Sequence, residues 1–137
     1  MKAISLYQPW ATAMALGWKT IETRHWAARH RGPLLIHAAK KVVEWPSIDM
    51  QIAFEGVAFL PGDLPLGAIL CQVEMVDCQV IRMHNRPEGL ERIMGNYDLG
   101  RYMWITENLK VFDPIPYRGH QGFFKVPAKV IAAAKVF

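Results

Sequence analysis

The sequence predicts an α+β domain: a small β-barrel, closed or nearly closed, with short helices at its connections. Three observations predict it. Five or six short stretches carry the alternation or apolar density of strands. The helical patterns between them are brief and fall at the connections, which favours a single curled sheet over stacked layers. No G-x-G-x-x-G or P-loop pattern opens a helix, so a parallel βαβ fold with a dinucleotide or nucleoside-triphosphate site is disfavoured. Residues 1–137 fit one domain, because 137 residues can bury a sizeable core but not two independent ones.

The elements follow in order. Ala3 to Tyr7 reads as an opening strand, after which Pro9 suits a first helical position and Gly17 the stop beyond the last turn, giving a short helix from Trp10 to Leu16. In Lys19 to Arg24 the β-branched Thr20, Ile21 and Thr23 favour extension, and Thr20, Glu22 and Arg24 share one face. Gly32 and Pro33 introduce a second apolar strand, Leu34 to Ala38. Ser47 caps a predicted helix from Ile48 to Ala58, ended by the Pro61, Gly62, Pro65 and Gly67 cluster. Ala68 to Val80 is the longest strand, with Ile69, Cys71, Val73 and Met75 on one face and Gln72 and Glu74 on the other. Arg82 to Asp98 is a loop with a helical piece near Pro87 to Met94, and Arg101 to Phe112 resumes strand character. Asp113, Pro114 and Pro116 are expected to turn the chain into Gly122 to Val126, before Pro127 opens an Ala-rich terminal helix.

Composition narrows the function classes. Hydrophobic residues make up 52% and charged residues 20%, enough apolar surface to offset chain entropy, so disorder is not expected. The net charge of +4 favours phosphate-bearing partners. Cys71 and Cys78 lie in an apolar stretch without metal-ligand spacing, which excludes a disulfide scaffold. No secretory signal pattern opens the chain, and no window approaches the ~20 apolar residues of a membrane span, so a soluble, cytoplasmic protein with no membrane partner is expected. The five histidines, His25, His30, His37, His84 and His120, form no HxH, HxxxH or HExxH pattern, so neither metal nor cofactor is expected. His37 in an apolar strand reads as a satisfied core histidine, and His120 as a loop residue.

GWKTIETRHW, residues 17 to 26, is more specific than periodicity. It resembles the G-x-K-x-x-E-x-R signature of the ASCH family, and ISLYQPWA, RGPLLIHAAK, GRYMWITEN and PIPYRGHQGFFKVP resemble the flanking stretches of small bacterial ASCH proteins. The resemblance implies a PUA-like β-barrel with a cleft for RNA or a modified nucleoside. It also implies an activity: some very small ASCH proteins are amidohydrolases that remove the acyl group from N4-acetylcytidine, and ribonuclease activity has been ascribed to others. Carried over, Lys19 matches the amidohydrolase lysine and Glu74 the catalytic carboxylate. Glu22 stands where those enzymes place a threonine, leaving Thr20 as the nearest hydroxyl.

Removing an acyl group needs an activated nucleophile or water, a proton donor and positive charge near the oxyanion. The expected acid/base pair is Lys19 and Glu74, organised by Glu22 and Arg24. Gln8 and Trp10 are placed to hydrogen-bond and stack on a base. Trp26 beside Arg29 and Arg31 forms an aromatic and basic patch suited to an RNA backbone. Two alternatives stay open: a non-catalytic RNA-binding module, and a ribonuclease. The sequence points to no protein partner.

Overall fold

The structure is a computed structural model that describes residues 1–136. Its elements, in chain order, are strand β1 (Lys2–Leu6), helix α1 (Trp10–Ala15), β2 (Ile21–Arg24), β3 (Gly32–Ala38), α2 (Ile48–Ala53), a 3₁₀ turn at Pro61–Asp63, β4 (Ala68–Val80), α3 (Leu90–Ile93), β5 (Tyr102–Pro116), β6 (Phe124–Lys125) and α4 (Ala128–Ala132). The strands form one sheet in the order β2-β5-β4-β3-β1-β6. Among the described strands only β1 and β3 run parallel; the other neighbours are antiparallel.

Both faces of the central strands are covered, which explains their near-continuous apolar runs. Leu34, Ile36, Cys71, Val73, Met75 and Trp104 pack on one face with Ile4, Leu6 and Met14. Leu35, Ile69, Phe112 and Ala3 pack on the other, under Val130 and Ile131 of α4. A third cluster joins Ala13 of α1 to Met50 and Phe54 from α2 and its C-terminal cap. In α1, Ala11, Thr12, Ala13 and Met14 are all buried, so this short helix is wedged between the sheet and α2.

Local chemistry sets the ends of several elements. The Ser47 side chain accepts a hydrogen bond from Met50 N at 3.1 Å, capping α2. That helix stops at Ala53, five residues earlier than expected. Gly17, at φ +77°, reverses the chain after α1, and Trp18 N and Lys19 N both return to Ala13 O. This reversal sends Lys19 back under the helix.

Two expectations need correction. Asp113, Pro114 and Pro116 lie within β5 and do not turn the chain. The register against β4 shifts between Ile69 and Cys71, and β2 pairs with β5 only over residues 102–105, so Pro114 sits beside a bulge on a stretch that β2 does not pair. The barrel is not closed among the described residues: β2 ends one edge of the sheet and β6 the other. With four and two residues, these strands are too short to seal a ladder. A side chain spans the gap instead, where Arg24 Nη2 of β2 donates to Ser5 O of β1 at 3.1 Å.

Among the described residues, no helix is long and apolar enough to cross a membrane. Cys71 and Cys78 are unpaired, and burial pushes the Cys71 thiol up to about 12.

Candidate functional site: a cationic cleft between the sheet rims

The gap between the β1 and β2 rims opens into a cleft of about 1630 Å³. Lys19, Glu22, Thr23 and Arg24 form one end, joined by Asn96 and Arg101. Ser5, His37, Lys40, Tyr117, Arg118, Gly119 and His120 form the other, with Tyr7 and Trp10 also on the wall. Among the described residues, Glu22 is the sole carboxylate on this lining, against the five cations Lys19, Arg24, Lys40, Arg101 and Arg118.

The Lys19 end is a saturated ion network. Lys19 Nζ donates to Ile21 O at 2.6 Å and to Met94 O at 2.9 Å, and lies 3.4 Å from Glu22 Oε1; its side chain is 0% exposed. All three ammonium protons therefore have an acceptor. Glu22 Oε1 also accepts from Thr23 N, while Oε2 accepts from Arg24 Nε at 2.8 Å. The Arg24 guanidinium lies 5.6 Å from the Trp104 ring. Burial lowers the Lys19 pKa, a shift that the charges of Glu22 and Glu91 oppose. Gly95 makes room for the network: a β-carbon there would come within 3.0 Å of the Tyr97 ring and 3.4 Å of Lys19 Nζ.

At the other end, Ser5 Oγ lies 2.9 Å from His37 Nδ1, and His37 Nε2 lies 2.7 Å from Tyr117 O. Ser5 and His37 are register partners on β1 and β3. Burial lowers the His37 pKa; the Tyr117 carbonyl opposes that shift and the neighbouring His120 adds to it.

This geometry can be set beside known proteins. The model of the ASCH domain matches residues 4–118. The chain belongs to the ASCH-domain family. Domains of this family are associated with RNA binding. Over 139 aligned residues, the chain is 30% identical to activating signal cointegrator 1 of Homo sapiens and 29% identical to that of Mus musculus. Each match covers 96% of this chain and 23% of the relative, so this ASCH domain spans about a quarter of those proteins. The crystal structure of ASCH from Zymomonas mobilis superposes with a TM-score of 0.65 at 12% identity, covering 98% of this chain and 95% of that one. A tyrosine-to-phenylalanine mutant of the same Zymomonas protein gives 0.60 at 13% identity, with 98% of each chain covered. These two likenesses show the fold.

The ASCH signature residues Lys19, Glu22 and Arg24 do come together, and Trp10 joins them on the cleft wall. Glu74 does not. It lies on β4, which β5 separates from β2 and β3 separates from β1, while the cleft opens at the rims. Its Oε2 accepts instead from Asn108 Nδ2 at 3.2 Å. Thr20 is also outside the lining: its hydroxyl donates to Glu91 Oε1 at 2.5 Å, part of a clamp by which α3 holds the start of β2. Gln8 is buried and tied at both ends of its amide, accepting from Thr12 N and donating to Pro65 O. Trp26 stands edge-on against Trp104 and Phe123, ring centroids 4.6 and 5.6 Å away, and its carbonyl accepts from Trp104 Nε1. It is packed as part of an aromatic cluster. Arg29 and Arg31 are exposed and away from the cleft, and Arg31 caps the carbonyls of Ala28 and His30.

Reasoning from sequence missed Ser5, Asn96, Arg101, Tyr117 and Arg118, and His37 and His120 were read only as core and loop. One signal was available. The stretch PIPYRGHQG places Arg118 and His120 beside glycines, a pattern suited to a loop that closes on a ligand.

Proposed function

We propose that this ASCH domain binds single-stranded RNA in the cleft between its sheet rims. The observation that carries the reading is the imbalance of five cations against one carboxylate on the lining. In a concave site such an imbalance concentrates anions, and Tyr7 and Trp10 on the same wall supply faces on which a base can stack. Within this reading Lys19 organises and does not react, because its ammonium is enclosed and fully hydrogen-bonded. The finer reading, hydrolysis of an N4-acylated cytidine by a Lys19 and Glu74 pair, has no support in the separation of those two residues.

The test is fluorescence anisotropy of a 5′-labelled single-stranded RNA titrated at several salt concentrations. Affinity is expected to fall steeply with salt, by a slope of roughly 0.7 for each phosphate neutralised. Arg101→Ala and Arg118→Ala should each weaken binding and flatten that slope. Binding that ignores salt, or that both variants leave intact, would rule the cleft out. The same mixtures run on a denaturing gel, beside an incubation with N4-acetylcytidine, report cleavage or deacylation directly.

A further inference from the structure

Four hydroxyl side chains line the cleft: Ser5, Tyr7, Thr23 and Tyr117. The Thr23 oxygen accepts from Asn96 N at 3.2 Å. Ser5 alone among them touches a base, with Oγ 2.9 Å from His37 Nδ1.

The proton positions follow from the partners. Tyr117 O can only accept, so the 2.7 Å contact places a proton on His37 Nε2. Nδ1 of the neutral ring then carries the lone pair, and the Ser5 hydroxyl donates to it. Tyr117 is itself held, its amide donating to Gly67 O at 3.0 Å. Nucleophile, base and orienting group thus come from β1, β3 and the segment after β5, the three-part arrangement that activates a serine. Gly119 lets this segment lie against the pair: a β-carbon there would fall 2.7 Å from Ser5 Oγ and 2.6 Å from His37 Cε1. Burial keeps His37 below the ordinary histidine range and hence able to accept a proton at neutral pH. Arg24, already bonded to Ser5 O, brings positive charge to the same residue.

We propose that Ser5 is a nucleophile activated by His37, and that the cleft acts on acyl esters whose alcohol half carries phosphate. The phosphate preference rests on the anion-binding reading above; the nucleophile does not. Esters are favoured over amides because the group orienting His37 is a neutral carbonyl. It stabilises the imidazolium less than a carboxylate would, which suits a leaving group that departs readily. The step balances as follows. Ser5 Oγ bonds to the acyl carbon as its proton passes to His37 Nδ1. The ester C–O bond then breaks, and the imidazolium returns the proton to the departing alkoxide, leaving acyl-Ser5 and the free alcohol. Water, deprotonated by His37, attacks the acyl-serine; the acid leaves and Ser5 regains its proton.

The experiment uses p-nitrophenyl acetate with the whole domain, following p-nitrophenolate release and mapping acetyl adducts by peptide mass spectrometry. Wild type is expected to carry the acetyl group on Ser5. Ser5→Ala should lose that adduct and slow release by roughly a hundredfold or more, while circular dichroism shows the wild-type fold. His37→Gln should slow release similarly, and circular dichroism will show whether it folds. Equal release by wild type and Ser5→Ala, or acetylation confined to lysines, overturns the proposal. RNA binding is measured separately in the same samples, so Ser5 acetylation with no RNA binding would sink the cleft's anion role and leave the nucleophile standing.

Discussion

The two ends of the cleft use polar side chains in opposite ways. At one end Lys19, Glu22 and Arg24 come from a single short stretch, and with the carbonyls of Ile21 and Met94 they leave no ammonium proton free. At the other, Ser5, His37 and Tyr117 come from three widely separated parts of the chain, and they form a chain of directed hydrogen bonds with a hydroxyl at its open end. A buried charge with every partner in place is built to hold geometry. A hydroxyl beside a neutral imidazole is built to move a proton. The comparison teaches that the most recognisable motif need not be the reactive part of a site; here it frames the gap between β2 and β1 that the other end lines.

The largest expected effect breaks the first end. Lys19→Met keeps most of the stem's volume but leaves Glu22 without its buried cation and Ile21 O and Met94 O without their donor. The domain should lose about 3–5 kcal/mol, the usual result of removing one partner of a buried pair. Urea denaturation measures it, and an unchanged midpoint would mean that the network is ornamental. Trp104→Ala should be comparable, about 3–5 kcal/mol, because this fully buried ring supports Arg24 and packs against Trp26 and Phe123.

A smaller effect is expected at the second end. Ser5→Ala removes one hydrogen bond to His37, worth about 1 kcal/mol, and the same urea titration should place it well below Lys19→Met. Were the two substitutions equally damaging, the division between a structural and a reactive end would fail.

The smallest effect is a pH dependence. The folded-state pKa of His37 lies below its ordinary 6.5, so as pH falls below that value the unfolded chain binds the proton first. Stability contributed by this residue should therefore decline from about pH 6.5 down to its depressed folded value and level off beneath it. Melting temperature measured across that window should slope less in a folded His37→Gln variant. An identical slope would mean that His37 is not the titrating group.

Much of the fold was legible in the chain because it rests on local chemistry. The strand Ala68–Val80 matched β4 in its bounds, although a bulge turns Ile69 to the face opposite Cys71, Val73 and Met75; Ser47 capped its helix, and Gly17 ended the one before it. The signature stretch likewise announced Lys19, Glu22 and Arg24, since alternate positions on a strand put Glu22 and Arg24 on the same side and the turn at Gly17 brings Lys19 to them. Glu74 was legible as a residue that leaves the core, but not as one that misses the cleft. That depends on strand order, because only the pairing of β4 between β3 and β5 sets it two strands from β2 and two from β1.

The sequence by itself therefore determined most of the elements, the ASCH resemblance and one end of the site, all of which depend on neighbours within a few residues. Tertiary structure alone decided that the sheet stays open, that Arg24 spans its rims, and that Ser5 meets His37 and Tyr117. The physical reason is that a hydrogen bond between residues 37 and 117 leaves no trace in periodicity or composition. It exists only once β1 and β3 pair in register and the chain beyond β5 folds back over them.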